Sequence, residues 1–100
     1  MKEAIVSIER SWRKGKKYAA TVEGKDGRRI VHFGADGYDQ YKDSTGIGHF
    51  SHKDHGDKTR MKNYYRRHSG ANGKREALAK EKKLSGGIYN AKILSHMFLW

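Results

Sequence analysis

The chain has 100 residues, with 22 lysines and arginines against 11 acidic residues, a formal net charge of +11, and no cysteine. This length excludes multi-lobed enzyme folds and predicts a single basic domain, residues 1–100, with one thin core. The absence of cysteine excludes disulfides and thiolate zinc sites, and the charge favours a polyanionic partner, either nucleic acid or an acidic protein surface.

A small antiparallel sheet of three strands is predicted in the first third of the chain. Residues 4–8 and 17–23 are rich in β-branched and aromatic residues, which favour strands. A turn signal at residues 24–27, which contains Asp-Gly, is followed by a third such run at 28–34, so we expect a hairpin there. Four residues are candidates to pair across this sheet: Tyr18, Val22, Ile30 and His32.

Residues 34–57 form a long segment without periodicity, rich in glycine, aspartate, serine, threonine and histidine. A segment of this kind is either functional or held against the body by its aromatic and apolar residues. Four side chains are expected to hold it: Tyr38, Tyr41, Ile47 and Phe50.

An amphipathic helix is predicted to begin after Asp57, a suitable N-cap, and to run to His68. Its apolar face follows the helical spacing i, i+3, i+4 and i+7, and its other sides are almost purely basic. The residues of the apolar face are Met61, Tyr64, Tyr65 and His68.

A second helix is predicted between the break at residues 69–73 and Lys83 or Leu84. Asn72 can cap its beginning, and Glu76 with Lys80 gives one supporting pair four residues apart.

The last segment, residues 88–100, follows the helix-ending pair Gly86-Gly87 and is apolar on nearly every side. We expect a third helix, buried in the core or against a partner. The segment is too short to cross a membrane, and the N-terminus does not resemble a signal peptide. The expected location is therefore a virion or the host cytoplasm or nucleus, and not the outside of the cell.

Basic residues interleaved with aromatic ones are the best-motivated binding feature, because arginine suits phosphates and aromatic faces can stack on bases. The predicted polyanion-binding residues are Arg13, Lys14, Lys16, Arg60, Lys62, Arg66 and Arg67. Three aromatic residues are candidate interface anchors: Trp12, Phe98 and Trp100.

A histidine-rich run offers a rival chemistry, because imidazoles and carboxylates bind zinc and histidines also serve in acid–base catalysis. Its potential ligands are His49, His52, Asp54 and His55. No second, distant ligand set accompanies them, so a polar loop leading into a helix cap is the favoured interpretation. We therefore expect no metal, no cofactor and no catalytic residues.

The ordered motifs of the chain resemble a family of small basic proteins encoded by large double-stranded DNA viruses, including those of algae, and by some phages. The resemblance covers most of residues 16–100 and implies a viral setting, but no activity is assigned to the family. The motifs are His32-Phe-Gly-Ala-Asp-Gly-Tyr38, Asp39-Gln-Tyr41, Asp57-Lys-Thr-Arg60, Tyr64-Tyr65-Arg-Arg67-His68, Gly86-Gly87-Ile-Tyr89 and Leu99-Trp100.

Together these observations predict an α+β fold in which a three-stranded antiparallel sheet packs with two or three helices. The expected function is that of a non-enzymatic virion structural or assembly protein, of the minor capsid type, which docks on an acidic protein surface or on the packaged genome. A nucleic-acid-binding accessory protein of a DNA virus or phage is the first alternative, and a small metal-dependent nuclease is the second.

Overall fold

Three β-strands and three α-helices follow one another in the computed structural model, which describes residues 1–100. All strands precede all helices, so the predicted α+β class is confirmed. The strands are β1 (Glu3–Arg10), β2 (Lys16–Gly24) and β3 (Gly27–Ala35), and the helices are α1 (Lys58–Ser69), α2 (Lys74–Leu84) and α3 (Ala91–Phe98), with a short 3-10 helix at Ser51–Lys53.

The sheet is antiparallel with the strand order β1-β2-β3, and the predicted hairpin joins β2 to β3. Gly24 pairs with Gly27, whose φ of +107° favours glycine at this turn. The four candidate pairing residues do not pair with one another, because Tyr18 pairs with Phe33 and His32 with Ala19. Side chains alternate between the two faces of a sheet, so these two pairs lie on opposite faces.

The helices pack one after another on the sheet: α3 packs on β3, α2 packs on α3, and α1 packs on α2. The main core forms between the sheet and α3 and contains Tyr18, Phe33 and Leu94. A second, smaller cluster around Tyr65 joins α1 to α2. Trp100 is partly buried and packs against both clusters.

The segment between the sheet and α1 is held mainly by polar contacts. Phe50 packs on the core as expected, with its ring centroid 5.5 Å from that of Tyr18 and the two rings nearly perpendicular. The expectation for Tyr38 and Ile47 was wrong, since both side chains are exposed. The stronger attachment is made by Gln40, whose side chain is fully buried.

Asp57 caps α1 as predicted, because its carboxylate accepts hydrogen bonds from the backbone N–H groups of Thr59 and Arg60 at 2.9 and 3.1 Å. The apolar face of α1 is narrower than predicted, since Tyr64 and Tyr65 are buried but His68 is exposed.

The predicted beginning of α2 was wrong, because its N-cap is Gly73 and no side chain caps it. Asn72 instead donates its own backbone N–H to Glu76 at 3.3 Å. Glu76 does not pair with Lys80, whose ammonium reaches across to the carbonyl of Ser69 at 2.7 Å. None of the three helices has the length and hydrophobicity that a membrane crossing requires.

Candidate functional site

A concave, positively charged cleft of about 640 Å³ lies where one end of the sheet meets α1 and α3. We call it the basic cleft. Its volume falls in the range of about 300–1,000 Å³ that is usual for ligand sites. The cationic residues that line it are Lys16, Lys17, Arg60, Arg67 and Lys92.

One side of the basic cleft, which we call the loop wall, consists of the segment after β3 that carries Tyr38 and Asp39. It is fixed by Gln40, whose side-chain carbonyl accepts a hydrogen bond from Lys17 Nζ at 2.6 Å. The amide nitrogen of Gln40 donates to the backbone carbonyl of Phe50 and to Asp54, both at 2.8 Å. A single buried side chain therefore joins β2 to two separate parts of the loop.

Lys17 positions the loop wall and is a poor candidate for a free ligand-binding cation. Its ammonium group also donates to the backbone carbonyl of Tyr38 at 2.7 Å, so both of its partners are neutral oxygens. Burial lowers the pKa of Lys17, with a further contribution from the charge of Lys53. The other cationic residues of the cleft are more accessible.

The opposite side, which we call the helix wall, is formed by α1 and α3 around the fully buried His96. The two ring nitrogens of His96 lie 2.9 Å from the hydroxyl of Tyr64 and 2.7 Å from that of Ser69. The hydroxyl of Tyr65 donates to the backbone carbonyl of His96 at 3.1 Å. These three hydrogen bonds join α1 to α3.

His96 is neutral at pH 7, because burial lowers its pKa to about 4. A neutral imidazole has one donor and one acceptor nitrogen, and the two hydroxyl groups can satisfy both. Burial also raises the pKa values of Tyr64 and Tyr65. The interior of the helix wall is therefore uncharged, and its charges lie on the cleft surface.

The C-terminal residues lie between the two walls. The indole of Trp100 stacks on the ring of Tyr64, with the centroids 4.1 Å apart and the planes inclined by 3°. The ring of His55 lies 5.3 Å from the Trp100 ring. The backbone carbonyl of Leu99 accepts a hydrogen bond from the backbone N–H of Tyr41 at 3.0 Å. The C-terminal segment therefore connects the loop wall to the helix wall.

The charges of the basic cleft are only partly neutralised. Arg60 lies 3.8 Å from Asp39, which is the only carboxylate side chain that lines the cleft. Lys92 donates to the carbonyl of His68 at 3.1 Å and lies 3.9 Å from Glu81. Arg67 and Lys16 form no ion pair, so a positive potential remains in a concave space.

The structure divides the seven cations predicted to bind a polyanion into two groups. Lys16, Arg60 and Arg67 come together in the basic cleft although they lie far apart in sequence. The remaining four are exposed outside the cleft, and we call them the outer cations: Arg13, Lys14, Lys62 and Arg66.

The three candidate anchors lie in different environments. Trp12 is 63% exposed and its ring contacts that of His32, at a centroid distance of 4.8 Å. Phe98 is partly buried and packs near Phe33, while Trp100 lines the basic cleft. Only Trp100 therefore belongs to the same site as the converging cations.

Lys92 and Tyr38 are among the cleft residues that sequence reasoning missed. Lys92 was overlooked because it lies in an apolar segment, although a lysine in such a segment indicates that one side faces solvent. Tyr38 was assigned to holding the loop, whereas the residue is 74% exposed.

The potential ligands of the alternative metal site do not come together as a cluster in the structure. Asp54 accepts hydrogen bonds from Gln40 and from the backbone of Asp43, both at 2.8 Å, and His55 accepts one from the backbone of Asp57 at 2.9 Å. No three histidine, aspartate or glutamate side chains come together in an arrangement that could hold a metal ion. The residues of that alternative were His49, His52, Asp54 and His55.

A protein family described as a family of unknown function (DUF5754) matches residues 6–45. The match includes β2, β3 and the loop wall but none of the helices, so it contains only part of the basic cleft. No curated protein and no solved structure matches the chain.

Proposed function

We propose that this protein is a small, non-enzymatic structural or assembly protein of a virion that holds nucleic acid through its basic cleft. The observation that carries the proposal is the convergence of Lys16, Arg60, Arg67 and Lys92 from three different elements on one concave surface. The virion setting is supported by the resemblance to small basic proteins of large double-stranded DNA viruses.

The supply of uncompensated positive charge supports a polyanionic partner. Only four of the 22 lysines and arginines form ion pairs within the chain. Phosphates attract such cations strongly, because binding releases the counterions condensed on nucleic acid. The remaining cations can therefore contribute to long-range attraction even where they make no contact.

The shape of the site favours nucleic acid over an acidic protein surface. A concave cleft admits a protruding polymer, whereas stable contacts between folded proteins require broad complementary faces. Aromatic rings also line this cleft, at Tyr38 and Trp100, and aromatic rings beside cations are typical of surfaces that bind bases and phosphates together.

The proposal contains no catalytic step. Asp39 is the single carboxylate side chain of the cleft and it is paired with Arg60, so a pair of carboxylates for acid–base work is not present there. Ser95 and His68 also line the cleft, but they form no hydrogen bond with each other. A nucleophile and its general base would require such a bond.

A binding titration over a range of salt concentrations tests the proposal. With labelled single-stranded DNA, four phosphate contacts predict a slope of log K against log salt concentration of about −3. Polyglutamate of equal charge is the control for an acidic protein surface, and we expect it to bind more weakly. No DNA binding at about 50 mM salt, or tighter binding of polyglutamate, would contradict the proposal.

The virion setting has its own test, which is mass spectrometry of purified particles from infected cells. Presence of the protein in the particles supports the structural role. Its absence from particles, together with salt-dependent DNA binding, would favour the nucleic-acid-binding accessory protein instead.

A further inference from the structure

We infer that the basic cleft is a site for single-stranded nucleic acid, which places phosphates against Lys16, Arg60, Arg67 and Lys92 and a base against the ring of Tyr38. The inference rests on the proposed function and specifies the form of the nucleic acid and the residues that hold it.

The curvature of the site favours a single strand over a duplex. Proteins that bind duplex DNA insert a protruding helix or strand into a groove of the DNA. Here the charged surface of the protein is itself concave, with about 640 Å³ of space between the loop wall and the helix wall. A single backbone with its bases can enter a space of this size, as in the grooves of proteins that bind single strands.

The spacing of the cations suits an extended strand. Arg60 and Arg67 lie seven residues apart on α1, which is two helical turns and about 10 Å along the helix axis. They therefore lie on one side of the helix and can contact separate phosphates. Lys16 at the beginning of β2 and Lys92 on α3 complete the positively charged lining.

Tyr38 provides a stacking surface at the loop wall. The residue is 74% exposed although it lines the cleft, and its backbone carbonyl accepts a hydrogen bond from the buried Lys17 Nζ at 2.7 Å. An exposed ring on a backbone fixed in this way is available for stacking on a base. Trp100 already stacks on Tyr64 and adds a second aromatic surface to the lining.

Asp39 opposes binding, because its carboxylate lies 3.8 Å from Arg60 inside the cleft. A phosphate that contacts Arg60 must compete with this carboxylate. Removing the charge of Asp39 should therefore tighten binding, by more than the general effect of one unit of net charge.

Two triple variants of equal net charge test the inference directly. The cleft variant carries Lys16→Gln, Arg60→Gln and Arg67→Gln, and the outer variant carries Lys14→Gln, Lys62→Gln and Arg66→Gln. Each cleft residue is matched by an outer cation two residues away or fewer. We expect the cleft variant to bind labelled oligothymidylate at least about tenfold more weakly than the outer variant.

Two single substitutions examine the separate parts of the site. Tyr38→Leu should weaken binding by roughly fivefold to a hundredfold, whereas Tyr38→Phe, which keeps the ring, should bind like the wild type. Asp39→Asn should tighten binding about two- to fivefold. Asp26→Asn, in the exposed hairpin turn, is its charge-matched control and should change binding less.

Circular dichroism of every variant checks that the fold is retained. Tighter binding of duplex than of single-stranded DNA by the wild type would overturn this inference while leaving the proposed function intact. Equal losses in the two triple variants would overturn both, because both place the nucleic acid in the basic cleft. Failure of the wild type to bind any nucleic acid would overturn both.

Discussion

The helix wall and the loop wall of the basic cleft each surround one fully buried polar side chain, His96 in the first and Gln40 in the second. The partners of His96 are hydroxyl groups carried by α1, so an uncharged network joins two regular elements. The partners of Gln40 include the ammonium group of Lys17 on β2 and the carboxylate of Asp54 in an irregular segment.

This difference has a consequence for how the two walls respond to change. In the helix wall, the neutral His96 must become protonated as the pH falls. In the loop wall, the neutral Gln40 already contacts charged groups. Acid should therefore weaken the helix wall first, and loss of a single hydrogen-bond partner should harm either wall.

The largest expected effect comes from His96→Leu, which removes both ring nitrogens from the helix wall. The hydroxyls of Tyr64 and Ser69 lose their buried partner, so we expect the free energy of unfolding to fall by about 3–5 kcal/mol. Urea denaturation of the variant and the wild type measures this loss in the free energy of unfolding. A loss below about 1 kcal/mol would mean that the network contributes little to the joining of α1 and α3.

Acid should produce the next largest effect. The pKa of His96 is about 4 in the folded protein against an ordinary value of 6.5, so the unfolded chain binds the proton first as the pH falls. Its contribution to stability is complete above pH 6.5 and is lost progressively towards pH 4, by about 3 kcal/mol.

Denaturation at a series of pH values checks this, with His96→Leu as the control. That variant should show a shallower acid dependence but not a flat one. Desolvation also lowers the pKa values of His32 and His55, and partial desolvation with the charges of Arg67 and Lys92 lowers that of His68. An acid dependence as steep as that of the wild type would show that His96 is not its main source.

Gln40→Leu removes the buried hydrogen-bonding side chain of the loop wall, as His96→Leu does for the helix wall. The ammonium of Lys17 loses one of its two partners, which should lower the free energy of unfolding by about 2 kcal/mol. Because His96 is unaffected, the acid dependence of stability should match that of the wild type. An altered acid dependence would indicate that the two walls are not independent.

The smallest expected effect is at the junction of the two regions, where Asp57 ends the loop segment and caps α1. Asp57→Ala removes the acceptor for two backbone N–H groups and should lower the free energy of unfolding by about 1 kcal/mol. Asp57→Ser, which keeps a capping oxygen, should restore most of the loss in thermal denaturation.

The helix wall could be predicted in part from the sequence, and the loop wall could not. The spacing of Tyr64 and Tyr65 and the capping residue Asp57 are local signals, and they placed α1 correctly. The contact of Tyr64 with His96 joins residues 32 positions apart, and no periodic pattern reports such a pair. The network of Gln40 is likewise non-local and polar, so its segment carried no hydrophobic signal.

The sequence named some of the cations of the candidate site but not the place where they come together. Net charge indicated a polyanionic partner, and Lys16, Arg60 and Arg67 were among the residues expected to bind it. Which cations converge depends on how β2, α1 and α3 pack together, and Arg66 differs from its neighbour Arg67 only in the side of the helix on which it lies.

The most direct test of the account is an NMR titration of isotope-labelled protein with short single-stranded DNA. The account predicts that the largest changes in backbone amide shifts occur at Lys16, Tyr38, Arg67 and Lys92, on both walls of the basic cleft. Changes concentrated instead at Trp12 and Ile30 on the outer face of the sheet, or spread evenly over all exposed lysines and arginines, would contradict it.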